Sequence, residues 1–204
     1  MYYGADSADP VTPALYERAC VALGKRPDFW LRYVGGAFAV SREEIALLHA
    51  HGTAVGFVYN ATSQAVFDGG LPSGHLAAFR AATAMYGLGA PAGVRCWADC
   101  EFAWTCPPVW LWGWEAHLAR YRAGLYCSPG SPSAQALIRQ ARRGCAVFAA
   151  SWVDAAIPAV APMPVVGGRV AQIHQYWGNT AGGALDLDRA TSLDGLWLPT
   201  GRAC

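Results

Sequence analysis

The residues Trp97-Ala98-Asp99-Cys100-Glu101 put two carboxylates two positions apart at the end of an apolar run, Val94 to Ala98. In an extended strand such residues share a face and sit about 6.6–6.8 Å apart along the backbone. Glycoside hydrolysis uses two carboxyl groups flanking one bond, about 5–9.5 Å apart depending on stereochemistry. A D-x-E that closes a buried strand can therefore supply an acid and its electrostatic partner. Two further acids stand at expected strand ends, Asp6 after Tyr2-Tyr3-Gly4-Ala5 and Asp186 within Ala184 to Leu187. With only 14 Asp and Glu in 204 residues, four carboxyls at strand ends are a pattern.

The elements that must position them alternate regularly. Strands are expected at Tyr2 to Asp6, Phe29 to Val34, Ala54 to Tyr59, Val94 to Asp99, Gly124 to Cys127, Ala146 to Trp152, Val170 to Trp177 and Ala184 to Leu187. Helices are expected from Pro13 to Leu23, from Ser41 to His51, from His75 to Tyr86, from Trp114 to Arg122, and from Ser131 or Ser133 to Arg143. Ser41 with Glu44 three residues on forms a capping-box signature, and Gly52 is a helix stop. A polar loop is expected over Asn60 to Gly74, and no helical pattern appears from Ala155 to Gly168.

Eight short apolar strands, most followed by a helix, describe an α/β fold, a single (β/α)8 TIM-like barrel with some crossover helices short or missing. An open doubly wound sheet is the rival, and the lack of a Gly-rich phosphate loop after the first strand counts against it. In such a barrel the strand ends form one face, so Asp6, Asp99, Glu101 and Asp186 converge on one bowl. Aromatic residues flank these ends: Tyr33, Tyr59, Trp97, Trp104, Tyr126, Trp152, Tyr176 and Trp177. Aromatic faces stack on sugar C–H faces, and Gln175 and Asn60 offer amide hydrogen bonds to hydroxyls.

Composition bounds the alternatives. Hydrophobic residues make up 54% and charged ones 14%, with a formal net charge of +1, so neither disorder nor a phosphate-binding face is indicated. No apolar run reaches the length of a membrane span. The N-terminus lacks the basic and apolar regions of a secretory leader, so the protein is expected to be made in the cytoplasm and to act at a cell wall after release or export. The seven cysteines, Cys20, Cys96, Cys100, Cys106, Cys127, Cys145 and Cys204, form no C-x-x-C pair. Most read as reduced core residues, with Cys100 and Cys106 a candidate pair. No G-x-S-x-G elbow is present, and the five histidines are too dispersed for a zinc site, so no metal or cofactor is expected. The cluster Trp110, Trp112 and Trp114 marks either a partner surface or packing under the helices.

Together these segments resemble the glycoside hydrolase family 25 lysozymes, and more closely a branch of glycoside-hydrolase-like domains, the domain-of-unknown-function family 1906. The matching stretches are Gly4-Ala5-Asp6, Leu31-Arg32-Tyr33, Ser41-Arg42-Glu43-Glu44 through His51-Gly52, Asp99 with Glu101, Gly124-Leu125-Tyr126, Ser151-Trp152, Gln175-Tyr176 and Leu185-Asp186-Leu187. The resemblance implies that Asp6, Asp99, Glu101 and Asp186 fill the family's four acidic positions, with Glu101 as general acid. It implies a sugar site lined by Tyr126 and Trp152; Tyr33, Tyr59, Trp97, Gln175 and Tyr176 are candidates by their place at the strand ends. The implied substrate is the β-1,4 bond between N-acetylmuramic acid and N-acetylglucosamine in peptidoglycan. A monomer binding polysaccharide is expected, with a catalytically silent glycan-binding barrel as the alternative.

Overall fold

Capping chemistry sets the helix starts. In the computed structural model, which describes residues 1–100, 104–151, 162–179 and 185–200, the Thr12 hydroxyl accepts from the Leu15 amide at the start of α1 (Pro13–Leu23). The capping box of α2 (Arg42–Ala50) is complete: Ser41 Oγ accepts from the Glu44 amide, and Glu44 returns a carboxylate oxygen to the Ser41 amide at 2.9 Å. Ser131, rather than Ser133, caps α6 (Pro132–Gln140).

The segment expected as a polar loop is instead helical, α3 (Gln64–Asp68) followed by α4 (Gly70–Leu88). Its glycines and proline read as loop residues, but packing overrides that preference. A Cβ on Gly74 would lie 2.1 Å from the Trp110 carbonyl oxygen, and one on Gly113 would lie 2.5 Å from that of Leu71. Two helices can approach so closely only through glycine. The partner helix, α5 (Pro108–His117), starts six residues before the expected Trp114, because Pro107 and Pro108 open it. Trp110 and Trp114 are buried and stacked at 5.8 Å, whereas Trp112 is 47% exposed.

Eight strands close into a barrel: β1 (Tyr2–Asp6), β2 (Phe29–Val34), β3 (Ala54–Tyr59), β4 (Arg95–Cys100), β5 (Arg122–Cys127), β6 (Ala146–Ala150), β9 (Ile173–Asn179) and β10 (Leu185–Ala190). A small hairpin, β7 (Val165–Val166) and β8 (Arg169–Val170), stands apart, so Val170 does not begin a barrel strand as expected. Neighbouring barrel strands are parallel except at β10, which runs antiparallel to both β1 and β9. The sequence pattern reads as a uniform (β/α)8 barrel, and this reversal departs from it. Five residues, 180–184, separate β9 from β10, while a parallel crossover needs a dozen or more.

The inner face carries Phe29, Leu31, Val58, Trp97, Phe148 and Ile173, and a second core lies between the sheet and the helices. The C-terminal segment plugs the end where the parallel strands begin. Trp197 and Val55 exchange backbone hydrogen bonds at 2.8 and 2.9 Å, and Leu196 packs into the inner cluster. Among the described residues no helix is long and apolar enough to cross a membrane. Cys100 and Cys106, the candidate pair, are both free.

One buried ion pair ties the first βα loop to the barrel. Arg32 Nε meets Glu44 at 2.8 Å with both side chains almost wholly buried. Arg32 also donates to the Ser7 and Ala8 carbonyls, and Glu44 accepts from the Val11 amide at 2.7 Å. The residues directly after Asp6 are thereby held. Glu44→Ala removes the cap, the amide acceptor and the counter-charge together, and should destabilise the fold by about 3–5 kcal/mol. Ser41→Ala should cost only about 1 kcal/mol. Urea unfolding of the two variants measures the contrast.

Candidate active site

Asp6 is the last residue of β1, and the register pairs it directly with Asp186 on β10. Directly paired residues share a face, so both carboxyls stand on the inner side of the barrel wall at its rim. The reversal of β10 is what puts Asp186 there: the residue lies near the start of its strand, and the start of an antiparallel strand meets the ends of the parallel ones. Gln175 on β9 joins the pair. Its Nε2 donates to Asp6 Oδ2 at 2.8 Å and to Asp186 Oδ2 at 2.9 Å. Its Oε1 accepts from the Tyr126 hydroxyl at 2.9 Å. Asp99 on β4 pairs with Tyr126 in the β4–β5 register and is buried, so it shares this face. The rim thus gathers Asp6, Asp99 and Asp186 around one Tyr–Gln hydrogen-bond chain. Glu101, two residues beyond Asp99, lies outside the described residues, as does Trp152.

A fourth carboxyl, not anticipated, sits below them. Asp188 pairs with Gly4 across β1 and is 0% exposed. Among the described residues, no N–H or O–H donor is fixed on either of its oxygens. It stands beside Asp6, on the same inner face of the adjoining strand. The signal was present in Leu185-Asp186-Leu187-Asp188, whose D-x-D has the same two-residue spacing as the D-x-E. Desolvation and the neighbouring Asp186 charge push the Asp6 carboxyl up to about 7, against opposing contributions from Gln175, Asp188 and Arg32. Burial first, then the Asp6 and Asp186 charges, hold Asp188 well above the ordinary carboxylate range.

The expected sugar-site residues divide. Tyr33, Tyr126 and Asp6 line a shallow pocket together with Leu31, Val58 and Phe148. Tyr59, Trp97 and Tyr176 do not reach it and are corrected to core residues. Tyr59 points outward, because its neighbour Val58 points in, and it packs 5.7 Å from Trp114. Trp97 shares the face of Asp99 but lies one pleat deeper, 6.5 Å from Phe148. At Tyr176 the β9–β10 register shifts, so Gln175 faces Asp188 while Trp177 faces the outward Leu187. Tyr176, next to the inward Gln175, alternates outward into the helix-covered core, and the register shift sends Trp177 outward as well. Gln175 is at the rim, but its amide is committed to the acids. Among the described residues no three His, Cys, Asp or Glu side chains form a metal-holding group.

A barrel whose rim gathers carboxyls beside aromatic rings defines a glycoside-hydrolase-like domain. The chain belongs to the Rv2525c-like, glycoside hydrolase-like domain family, whose profile matches residues 27–191. Among solved structures it is similar to an uncharacterized B. stearothermophilus protein (TM-score 0.85, 25% identity, covering 97% of this chain and 100% of that one). It shares its fold with the Mycobacterium tuberculosis Tat-secreted protein Rv2525c in complex with L-tartrate (TM-score 0.69, 19% identity, 96% and 98% covered). The Clostridium perfringens spore cortex lytic enzyme SleM has the same fold (TM-score 0.62, 18% identity, 96% of this chain and 69% of that one). No curated protein matches the chain.

The raised Asp6 value sets a pH dependence. Unfolded, the carboxyl releases its proton near 3.8; folded, it keeps it up to about 7. The native state binds more protons across that window, so stability falls as pH rises through it. Between about pH 4 and pH 8 the wild type should lose roughly 2–4 kcal/mol more than Asp6→Asn. Urea midpoints at the two pH values check this.

Proposed function

We propose that the domain is a glycosidase acting on an N-acetylated cell-wall glycan of the peptidoglycan type, in the manner of a muramidase. The observation that carries this reading is the rim itself: Asp6 and Asp186 clamped by Gln175, with Asp99 on the same face and an aromatic-walled pocket beside them. Likeness in fold to a spore cortex lytic enzyme supports the substrate class.

In the proposed mechanism Glu101 protonates the leaving-group oxygen, and Asp99 stabilises positive charge at the sugar ring or on an oxazolinium formed by the substrate's N-acetyl group. Asp6 and Asp186 orient water or the acetamido group, and Gln175 serves as their positioning residue. Tyr33 and Tyr126 supply the sugar-facing surface. Carboxyls whose surroundings drive their proton affinities apart suit this division of labour, because one must donate while others remain charged. The protein acts as a monomer at a cell wall, reached by release or export.

Purified peptidoglycan incubated with the wild type should yield new reducing ends, identified by mass spectrometry. Glu101→Gln should lower that rate by roughly 10²–10⁴-fold without changing the fold. Full activity in Glu101→Gln would overturn its role as the acid. Saturable glycan binding by the wild type with no cleavage would establish the silent, glycan-binding barrel in place of the enzyme.

A further inference from the structure

Asp6 and Asp188 are both buried, on adjacent strands, and share the inner face of the β1–β10 pair. Two neighbouring carboxylates shut away from water repel each other unless one keeps its proton, which the other can then accept. The surroundings are unequal. Asp6 receives the Gln175 amide N–H at 2.8 Å and feels the positive charge of Arg32 on β2, and both favour its anion. Among the described residues Asp188 has neither a fixed donor nor a nearby cation favouring its charge, and it is 0% exposed. The titratable groups that act on it electrostatically are Asp6 on β1, Asp186 on β10 and, through the β9 wall, Tyr176, each anionic or neutral.

We infer that Asp188 is a positioning residue that holds the last proton of the pair, donating it to Asp6, so that Asp6 is the mouth-facing member that ionises. The carboxylic acid works here as a neutral donor, a role its apolar site enforces. Asp6 is then fixed from two sides, by the Gln175 amide from β9 and by the Asp188 hydroxyl from β10. Only one negative charge, rather than two, has to be accommodated beneath the rim by this pair. The inference deepens the proposed reading of the rim as catalytic, but its test does not depend on glycan cleavage.

The experiment is a ¹³C-carboxyl NMR titration of the whole protein carrying labelled aspartate. In Asp188→Asn the amide replaces the hydroxyl as donor and cannot ionise. The Asp6 midpoint should then stay within about half a pH unit of the wild-type value. In Asp188→Leu, of similar volume but with no donor, it should rise by about one unit or more. A fall of the Asp6 midpoint to the ordinary carboxylate range near pH 4 in Asp188→Asn would overturn the assignment, since Asp188 would then have been the charged partner. The wild-type spectrum decides independently should a variant fail to fold. An Asp188 carboxyl carbon at its protonated shift at about pH 8 supports the inference, and one at its ionised shift refutes it. Failure of peptidoglycan digestion would leave these resonances unmoved, so loss of the glycosidase reading and loss of this one are distinguishable.

Discussion

A barrel closed by a strand that runs backwards forces carboxyls from its two ends of sequence onto facing rungs. Asp6, Asp186 and Asp188 occupy one inner patch because β1 and β10 are antiparallel neighbours, with Asp6 opposite Asp186 and Asp188 two rungs below. Three carboxyls on one inner patch, Asp6 and Asp188 buried and Asp186 half-buried, would repel strongly as anions in a low-dielectric interior. The fold accommodates them with one bridging amide, one nearby guanidinium and retained protons. The remaining features of the site adjust to that constraint. Gln175 is spent on the acids, and Tyr126 is oriented by Gln175.

The scaffold treats the first βα loop as part of the site. Glu44 caps its own helix, accepts the Val11 amide and pairs with Arg32, which in turn holds the Ser7 and Ala8 carbonyls. Trp30 donates to the Ser7 hydroxyl at 3.1 Å. The residues that follow Asp6 therefore have little freedom, and a rigid support suits a carboxyl whose proton affinity depends on its distance to neighbours. At the opposite end, Arg95 spans the Ala123 and Gly144 carbonyls and Asp194, and with Leu196 it seals the barrel floor.

Much of this was legible before any coordinates. The alternation of short apolar strands with capped helices described a barrel, and Ser41 with Glu44 marked a helix start that the structure reproduces atom by atom. Asp6 and Asp186 were recognisable as strand-end acids, and both stand at the rim. Three kinds of error share one origin. Tyr59, Trp97 and Tyr176 read as mouth residues because a strand end was treated as a mouth position, without asking which face or which layer each side chain occupied. Gly70 to Gly74 read as loop because local propensity ignores a helix that needs glycine to admit its neighbour. Asp188 escapes notice because the expected last strand ends at Leu187, whereas β10 runs on to Ala190.

What the sequence determined by itself is local: period-2 runs, caps, and the identities of the acids, since these follow from hydrogen-bonding valence and side-chain alternation within a few residues. The short 180–184 link even contains the reason that β10 must run backwards. Tertiary structure alone decided which carboxyls share a proton, which aromatics line the pocket and which vanish into the core. Those outcomes depend on desolvation and on distances between residues as far apart as Asp6 and Gln175, 169 positions along the chain, and no local pattern encodes them.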